Sequence, residues 1–343
     1  MSKIKVGLCA FGMSGRVFHG PLLEAHPDFH FTHVWQRTAS DARDFYPAVQ
    51  IVRSLEALLS LPELSLIVVN TPEVTHFEFA KAALLAGKHV VVEKAFTPTV
   101  AEAVELENLA QEKGLVLAVF QNRRWDGNFL TVKDIIESGK IGRLVQYEAH
   151  YHRFRPEVKK GSWKEEKRKG TGVLYNLGSH LIDQALHLFG MPERIWADID
   201  QQRTEAQVPD YFALYLFYPR LKVKLNASYL VRKPVPKYVL YGEKGSYHHQ
   251  GDDPQEAAMN DGLLPHTPAW DALPQAHEGQ LFLDAKPHRV PGKKGRYLSF
   301  YDQVSAAIQA GSPAYVQAKE GKQVIQLIEA AYESAQSGQV VSL

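Results

Sequence analysis

Residues His89–Thr99 read HVVVEKAFTPT. Val90–Val92 are consecutive β-branched residues in a short apolar run, the make-up of a strand buried on both faces. The run ends abruptly at Glu93-Lys94. In an open α/β sheet, bound molecules occupy the crevice beyond the carboxyl ends of the strands. A lysine there reaches them while its backbone is held by the sheet, so Lys94 is expected where two bound molecules meet.

Outward from this stretch, strand and helix patterns alternate. Lys5–Ala10 reads as a first strand, followed by the turn Phe11-Gly12-Met13-Ser14-Gly15 and a helix from Arg16 to Ala25. Phe29–Trp35 is a second strand, Leu55–Leu61 a helix and Ser65–Asn70 a strand leading to Thr71-Pro72. Thr75-His76-Phe77-Glu78 fits a capping box opening a helix that stops at Gly87. After the central stretch come a helix over Val100–Lys113 and a strand over Leu115–Gln121. Short connections between such elements predict a doubly wound parallel sheet of Rossmann type over residues 1–121.

The glycine turn has the strand–turn–helix context that gives it meaning. Gly12 lets the backbone approach a pyrophosphate, Gly15 lets helix and strand pack closely, and the helix start offers N–H groups to the anion. Ala10 occupies the first glycine position of the usual pattern. The second strand ends in Gln36-Arg37-Thr38, with no acid until Asp41. NAD sites place a carboxylate at that point for the ribose hydroxyls, whereas an arginine pairs with a 2′-phosphate. NADP is therefore expected in preference to NAD, with Arg37 on its phosphate.

Beyond Gln121 the pattern changes. Asn122-Arg123-Arg124-Trp125-Asp126 is polar and aromatic, and Leu130–Ser138 is helical. Arg143–Phe154 alternates with period two, and Arg194–Gln202, Tyr211–Tyr218, Leu221–Tyr229 and Tyr238–Tyr241 are further strand candidates. Successive strands without helices between them predict a large, mostly antiparallel sheet in an α+β domain over residues 122–343. Residues 249–296, rich in Pro, Gly, Asp and His, are expected to be irregular. The helices Phe300–Gln309 and Glu320–Ser337 are expected to pack back toward the sheet and the first domain.

At 343 residues the chain is long enough for two cores. Its charge is balanced, Lys+Arg 39 against Asp+Glu 38, without the basic excess of a nucleic-acid or membrane-surface binder. One cysteine, Cys9, excludes an intrachain disulfide or a thiolate cluster and fits a reducing, cytoplasmic setting. The first residues enter a strand pattern directly, and no apolar run reaches the ~18 residues that span a bilayer.

A second constellation lies in Gly170–Gly190, GTGVLYNLGSHLIDQALHLFG. At helical spacing Asn176, His180, Asp183 and His187 form one stripe, opposite Leu181, Ile182, Ala185, Leu188 and Phe189. Asn176, His180 and Asp183 come within mutual reach, and such neighbours set a histidine's tautomer and proton affinity. The same spacing also describes a solvated helix face. No further ligand stands at a spacing that suggests a metal.

Taken together these runs resemble the glucose–fructose oxidoreductase/inositol dehydrogenase family (Gfo/Idh/MocA). The resemblance is carried by Gly12–Gly15 with Phe18-His19-Gly20-Pro21, Thr71-Pro72 with Thr75-His76, Ala86-Gly87-Lys88-His89-Val90, Glu93-Lys94 and the His180/Asp183 helix. Within the family it is similar to NADP-dependent scyllo-inositol dehydrogenases, through Val119–Asp126, Phe129–Lys133, Arg153–Val158 and Leu186–Pro192. The resemblance implies hydride transfer between a nicotinamide and a ring carbon of a cyclitol or sugar, with Lys94 and His180 at the reacting oxygen. It implies cofactor contacts from Phe11, Gly12, Met13, Ser14, Gly15, Arg37, Thr38, Asn70, Thr71, Pro72, His76, Glu93, Lys94 and Asn122. Asp183 and Asn176 would meet the substrate, with Trp125, Arg124, Arg153, Arg155, Trp163 and Tyr175 as candidates for its wall.

Two departures stand out: Ala95 replaces the proline after Glu-Lys, and Asn176 replaces the aspartate four residues before the histidine. A neutral amide cannot stabilise an imidazolium as a carboxylate does. An aldose or dihydrodiol substrate, or a regulator that binds NADP without turnover, therefore stays open beside the cyclitol reading. An open-faced antiparallel sheet also needs a cover, and a homodimer, or a dimer of dimers, through that face is expected.

Overall fold

Six short strands pair in parallel, the central ones so apolar that they are buried on both faces. They are β1 (Ile4–Leu8), β2 (Phe29–Trp35), β3 (Gln50–Val52), β4 (Leu66–Val69), β5 (His89–Val92) and β6 (Leu117–Val119). Their order is β3-β2-β1-β4-β5-β6, the doubly wound arrangement with its reversal between β1 and β4. Val90, Val91 and Val92 are fully buried, as the valine run requires. The edge strand β3 has a single short run with no buried position, too weak a signal for the sequence reading.

The computed structural model describes residues 3–312 and 316–343, which divide into two compact units. The first holds Met1–Asn122 together with Pro254–Leu273 and Arg296–Lys322, so it is wider than the expected 1–121 span. The reason is aromatic packing. The helix Leu298–Ala310 sets the Tyr301 ring 5.4 Å from Phe29 and the Phe300 ring 4.8 Å from Phe120, completing the first unit's core. Cys9 lies in that core, and burial pushes its thiol up to about 12, which keeps it protonated and inert.

Helix caps distinguish two similar motifs. Thr99 accepts from the Glu102 amide (3.2 Å) and donates to its carboxylate (2.8 Å), opening the helix Val100–Lys113. Thr75 does not cap the helix His76–Leu85. Its hydroxyl turns back to Thr71 Oγ1 (2.7 Å) and the Pro72 carbonyl (2.8 Å), so the expected capping box is absent there.

The second unit is built on nine strands: β7 (Leu144–His150), β8 (Arg194–Asp200), β9 (Tyr211–Phe217), β10 (Lys222–Ser228), β11 (Tyr238–Gly242), β12 (Gly245–His249), β13 (Gly279–Phe282), β14 (Pro287–Val290) and β15 (Val341–Ser342). Their order is β14-β13-β12-β11-β7-β10-β9-β8-β15, antiparallel throughout except for the parallel pair β7·β10. Strands β13 and β14 lie inside the stretch expected to be irregular. Each is only four residues long, too short for a periodicity to stand out among the surrounding Pro, Gly, Asp and His. Period-two alternation buries Tyr147, Leu214, Leu225 and Leu240 on one face. On the other face Gln146, Glu148, Lys224, Tyr215 and Tyr241 are half-buried or exposed. No helix among the described residues is long and apolar enough to cross a membrane.

Candidate functional site

In the first unit the switch point of the sheet is built by Asn70, one residue past β4. Its side chain accepts from the Ala10 amide (3.0 Å) and donates to the Ala10 carbonyl (2.8 Å), fixing the chain as it leaves β1. A Cβ on Gly15 would stand 2.7 Å from the Ala10 carbonyl and 2.9 Å from Asn70 Nδ2, so only glycine fits. A Cβ on Gly12 would meet nothing within 4 Å. Open space over one glycine and close packing at the other are what a pyrophosphate cradle needs, and the residues fit a dinucleotide. Met13 is exposed beside the turn, and Phe11 is buried against Phe45 and Tyr46.

Glu93 ties β5 to this turn. Its Oε1 accepts from Ser14 Oγ and lies 3.2 Å from His19 Nε2, while Oε2 accepts from the Lys94 amide at 3.0 Å. Burial by itself would raise its pKa. The hydrogen bond and charge of His19, the charge of Lys94 and the hydroxyl of Ser14 outweigh that and bring it to about 2. His19 Nδ1 in turn lies 2.7 Å from the Tyr301 hydroxyl. Glu93 is thus a strut that holds the turn and the half-buried Lys94 together, rather than a side chain aimed outward. His76, also expected on the cofactor, is fully buried with Nδ1 2.9 Å from the Ala95 carbonyl and Nε2 2.8 Å from the Thr71 carbonyl. It joins the two turns from behind. The Lys94–Ala95 peptide is cis.

The loop after β2 has the chemistry read from its sequence. Arg37 and Thr38 are exposed, while Gln36 is buried and donates from Nε2 to Asp41 Oδ1 at 2.5 Å. The one nearby acid is therefore engaged within the loop.

In the second unit a π-turn, Leu174–Gly178, runs directly into the helix Ser179–Phe189. Such turns insert an extra residue and shift the helical phase, often at functional sites. Asn176 lies within this turn, two residues before its last residue Gly178. Its Nδ2 donates to the Tyr229 hydroxyl at 3.0 Å. His180 and Asp183 are buried, 7% and 2% exposed, which removes the solvated-face reading. Asp183 accepts from Arg124 Nε (2.9 Å) and Nη2 (2.7 Å) in a bidentate, buried ion pair. His187, two turns on, is pushed down to about 3 by burial and by the charges of Arg124 and Lys133.

Tyr151, which the sequence reading missed, lies 6.4 Å ring to ring from His180. Arg153 and Lys237 each stand 4.5 Å from its ring and Arg123 5.3 Å. Lys237 (2.5 Å) and Arg153 (3.0 Å) both pair with Asp252 and, against its burial, hold that carboxyl far below the usual range. Arg155 is exposed with its guanidinium 5.7 Å from the Tyr229 ring. Trp163 is half-buried on a short turn, Trp125 is buried, and Tyr175 stacks on Tyr332 at 6.1 Å. Arg203, also missed, is buried and reaches Asp210 (2.7 Å) and Glu165 (2.8 Å), pinning the Trp163 turn to the sheet. A signal for Tyr151 and Tyr229 did exist: each directly follows β7 or β10, the two strands whose carboxyl ends lie side by side.

A doubly wound parallel sheet with an open glycine turn at its switch point, joined to a second unit that buries a histidine and an arginine–aspartate pair, defines an oxidoreductase built to use a nicotinamide dinucleotide. The comparisons agree. Residues 4–121 match the oxidoreductase family's NAD-binding Rossmann fold and residues 133–343 its C-terminal alpha/beta domain, so the chain belongs to the GFO/IDH/MocA oxidoreductase family and is a dehydrogenase of CH–OH groups. It is 38% identical to the scyllo-inositol 2-dehydrogenase (NADP(+)) IolW of Bacillus subtilis, over 99% of this chain and 96% of that protein. It is also 38% identical to the uncharacterized oxidoreductase YdgJ of Escherichia coli, over 97% and 96% of the two chains. Among solved structures, yvaA of Bacillus subtilis superposes with a TM-score of 0.95 at 38% identity, covering 100% of this chain and 99% of that one. A Bacteroides fragilis structure gives 0.90 at 43% identity, with 100% of both chains covered.

Proposed function

We propose that the protein transfers hydride between NADP(H) and a ring carbon bearing a hydroxyl, on a cyclitol of the scyllo-inositol/inosose kind or a closely related sugar. The observation that supports this most is the full-length likeness to an NADP-dependent scyllo-inositol dehydrogenase. The absence of any unengaged acid in the loop 36–41 favours NADP over NAD on independent grounds.

When bound, the nicotinamide accepts or delivers the hydride. The turn Gly12–Gly15 holds the pyrophosphate, with Arg37 and Thr38 on the 2′-phosphate. Lys94 supplies the positive charge that stabilises an alkoxide-like oxygen. His180 takes the hydroxyl proton in oxidation and returns it in reduction. Asp183 orients a neighbouring hydroxyl, itself held by Arg124, and Asn176, Trp125, Arg153, Arg155, Trp163 and Tyr175 complete the surroundings of the ring. The protein works in the cytoplasm as a homodimer through the open face of the nine-stranded sheet, where Trp196 and Tyr215 form a ring pair at 5.6 Å and Tyr215 is 36% exposed.

A second reading is a regulator that binds NADP(H) without turnover, and the observation favouring it is the amide of Asn176 bound to Tyr229. Steady-state assays with NADP and NADPH against a panel of inositols, inososes, aldoses and dihydrodiols decide between them. Turnover of a cyclitol with NADP carries the first reading. Tight NADPH binding with no turnover across the panel carries the second.

A further inference from the structure

The loop after β2 is shaped by a side chain that none of the roles above uses. Arg53 directly follows Val52, which pairs with Trp35 at the end of β2. Its Nη1 donates to the carbonyls of Gln36 (3.0 Å) and Ala39 (2.6 Å), and its Nη2 to Ser40 Oγ (2.9 Å). The Arg53 carbonyl accepts from Trp35 Nε1 at 3.2 Å, which seats the arginine against the strand end. A guanidinium is a rigid, planar fork of donors. Three bonds to three residues therefore fix the curvature of the loop as well as its position. Two of the loop's carbonyls are thus on Arg53, and one oxygen of the Asp41 carboxylate is on Gln36. Among the described residues the amides of Arg37, Thr38, Ala39, Ser40 and Asp41 have no protein acceptor. These consecutive amides are thus available to an anion from outside the chain.

We propose that Arg53 is a positioning residue that determines cofactor specificity. By pinning the carbonyls of residues 36 and 39, it presents the loop amides and the Arg37 guanidinium to a phosphate monoester on the adenosine ribose. The inference rests on the NADP reading above. Arg53 acts through the shape of the loop, so a lysine, which carries the charge on a flexible stem without the fork, does not replace it.

Calorimetric titration of the full-length protein with 2′,5′-ADP and with 5′-ADP tests this without any turnover. The wild type should prefer 2′,5′-ADP. Arg53→Ala and Arg53→Lys should each lose about tenfold in affinity for 2′,5′-ADP, the scale of one charge-assisted contact, and keep 5′-ADP affinity within about twofold. The unchanged 5′-ADP affinity also shows that the variants are folded. If Arg53→Lys binds 2′,5′-ADP like the wild type, charge suffices and the positioning role is wrong. If Arg53→Ala retains the wild-type preference, or loses both ligands equally, Arg53 has no specific part. If the wild type itself does not discriminate while cyclitol turnover is intact, the NADP reading falls, and the Arg53 inference with it.

Discussion

Replacing Glu93 by glutamine removes a buried carboxylate whose pKa is brought from 4.5 to about 2 by His19, Lys94 and Ser14. Each pH unit of difference between unfolded and folded states corresponds to roughly 1.4 kcal/mol, so the ionised group contributes about 3 kcal/mol at neutral pH. The sign follows from the depression. The contribution is complete above pH 4.5 and is lost as pH falls through the interval down to about 2. Glu93→Gln should therefore unfold at a lower urea concentration at pH 7, with a deficit of about 3 kcal/mol. Below pH 4.5 that deficit should shrink, because the wild type protonates and the glutamine does not. Urea titrations of both proteins at several pH values from 7 to 3, followed by fluorescence, measure the difference and cancel the other titrating groups. A deficit under about 1 kcal/mol at pH 7, or one that stays constant down to pH 3, would refute the reasoning. It would mean that Ser14 and His19 serve a neutral amide as well as a carboxylate.

Other outcomes follow from the same geometry. Asp183→Asn strands the buried Arg124 guanidinium and should cost about 3–5 kcal/mol, whereas the double change Arg124→Met/Asp183→Leu should recover most of that while abolishing activity. Thermal unfolding of the three variants checks it. Gly12→Ala should fold like the wild type yet lose NADPH binding, because its Cβ meets open space that the pyrophosphate needs; Gly15→Ala should also lower the melting temperature, its Cβ colliding with the Ala10 carbonyl. NADPH fluorescence titration and calorimetry separate the two. Asn176→Asp should fold, since the Tyr229 hydroxyl can turn and donate to the new carboxylate, and should raise kcat for a cyclitol. The added charge favours imidazolium, so the acidic limb of the kcat/KM profile in oxidation should move up by about one pH unit; an unmoved limb counts against a link between position 176 and His180.

What could be read from the sequence, and what could not, divides along the range of the forces involved. The valine run, the glycine turn and the alternating strands are local patterns, and β1, β2, β4, β5 and β6 stand where those patterns put them. Residues 296–322 join the first unit through contacts such as Phe300 with Phe120, which lie far apart in sequence and leave no local trace. The site shows the same division. Arg124 and Asp183 were each singled out as substrate contacts, and nothing in their spacing indicated that they would bind each other first. The reading of Gly170–Gly190 assumed one constant helical period, and the π-turn over Leu174–Gly178 had no signal in that periodicity. Of the residues missed altogether, Tyr151 and Tyr229 could have been found by the rule that singled out Lys94. Strand β10 runs parallel to β7, so the second sheet also has two neighbouring carboxyl ends, and both tyrosines stand directly beyond them. The rule that ligands gather at strand ends depends on parallel pairing, which one pair in an otherwise antiparallel sheet is enough to supply. That pairing is a long-range fact, and until it is known Tyr151 is one more aromatic residue at the end of an alternating strand.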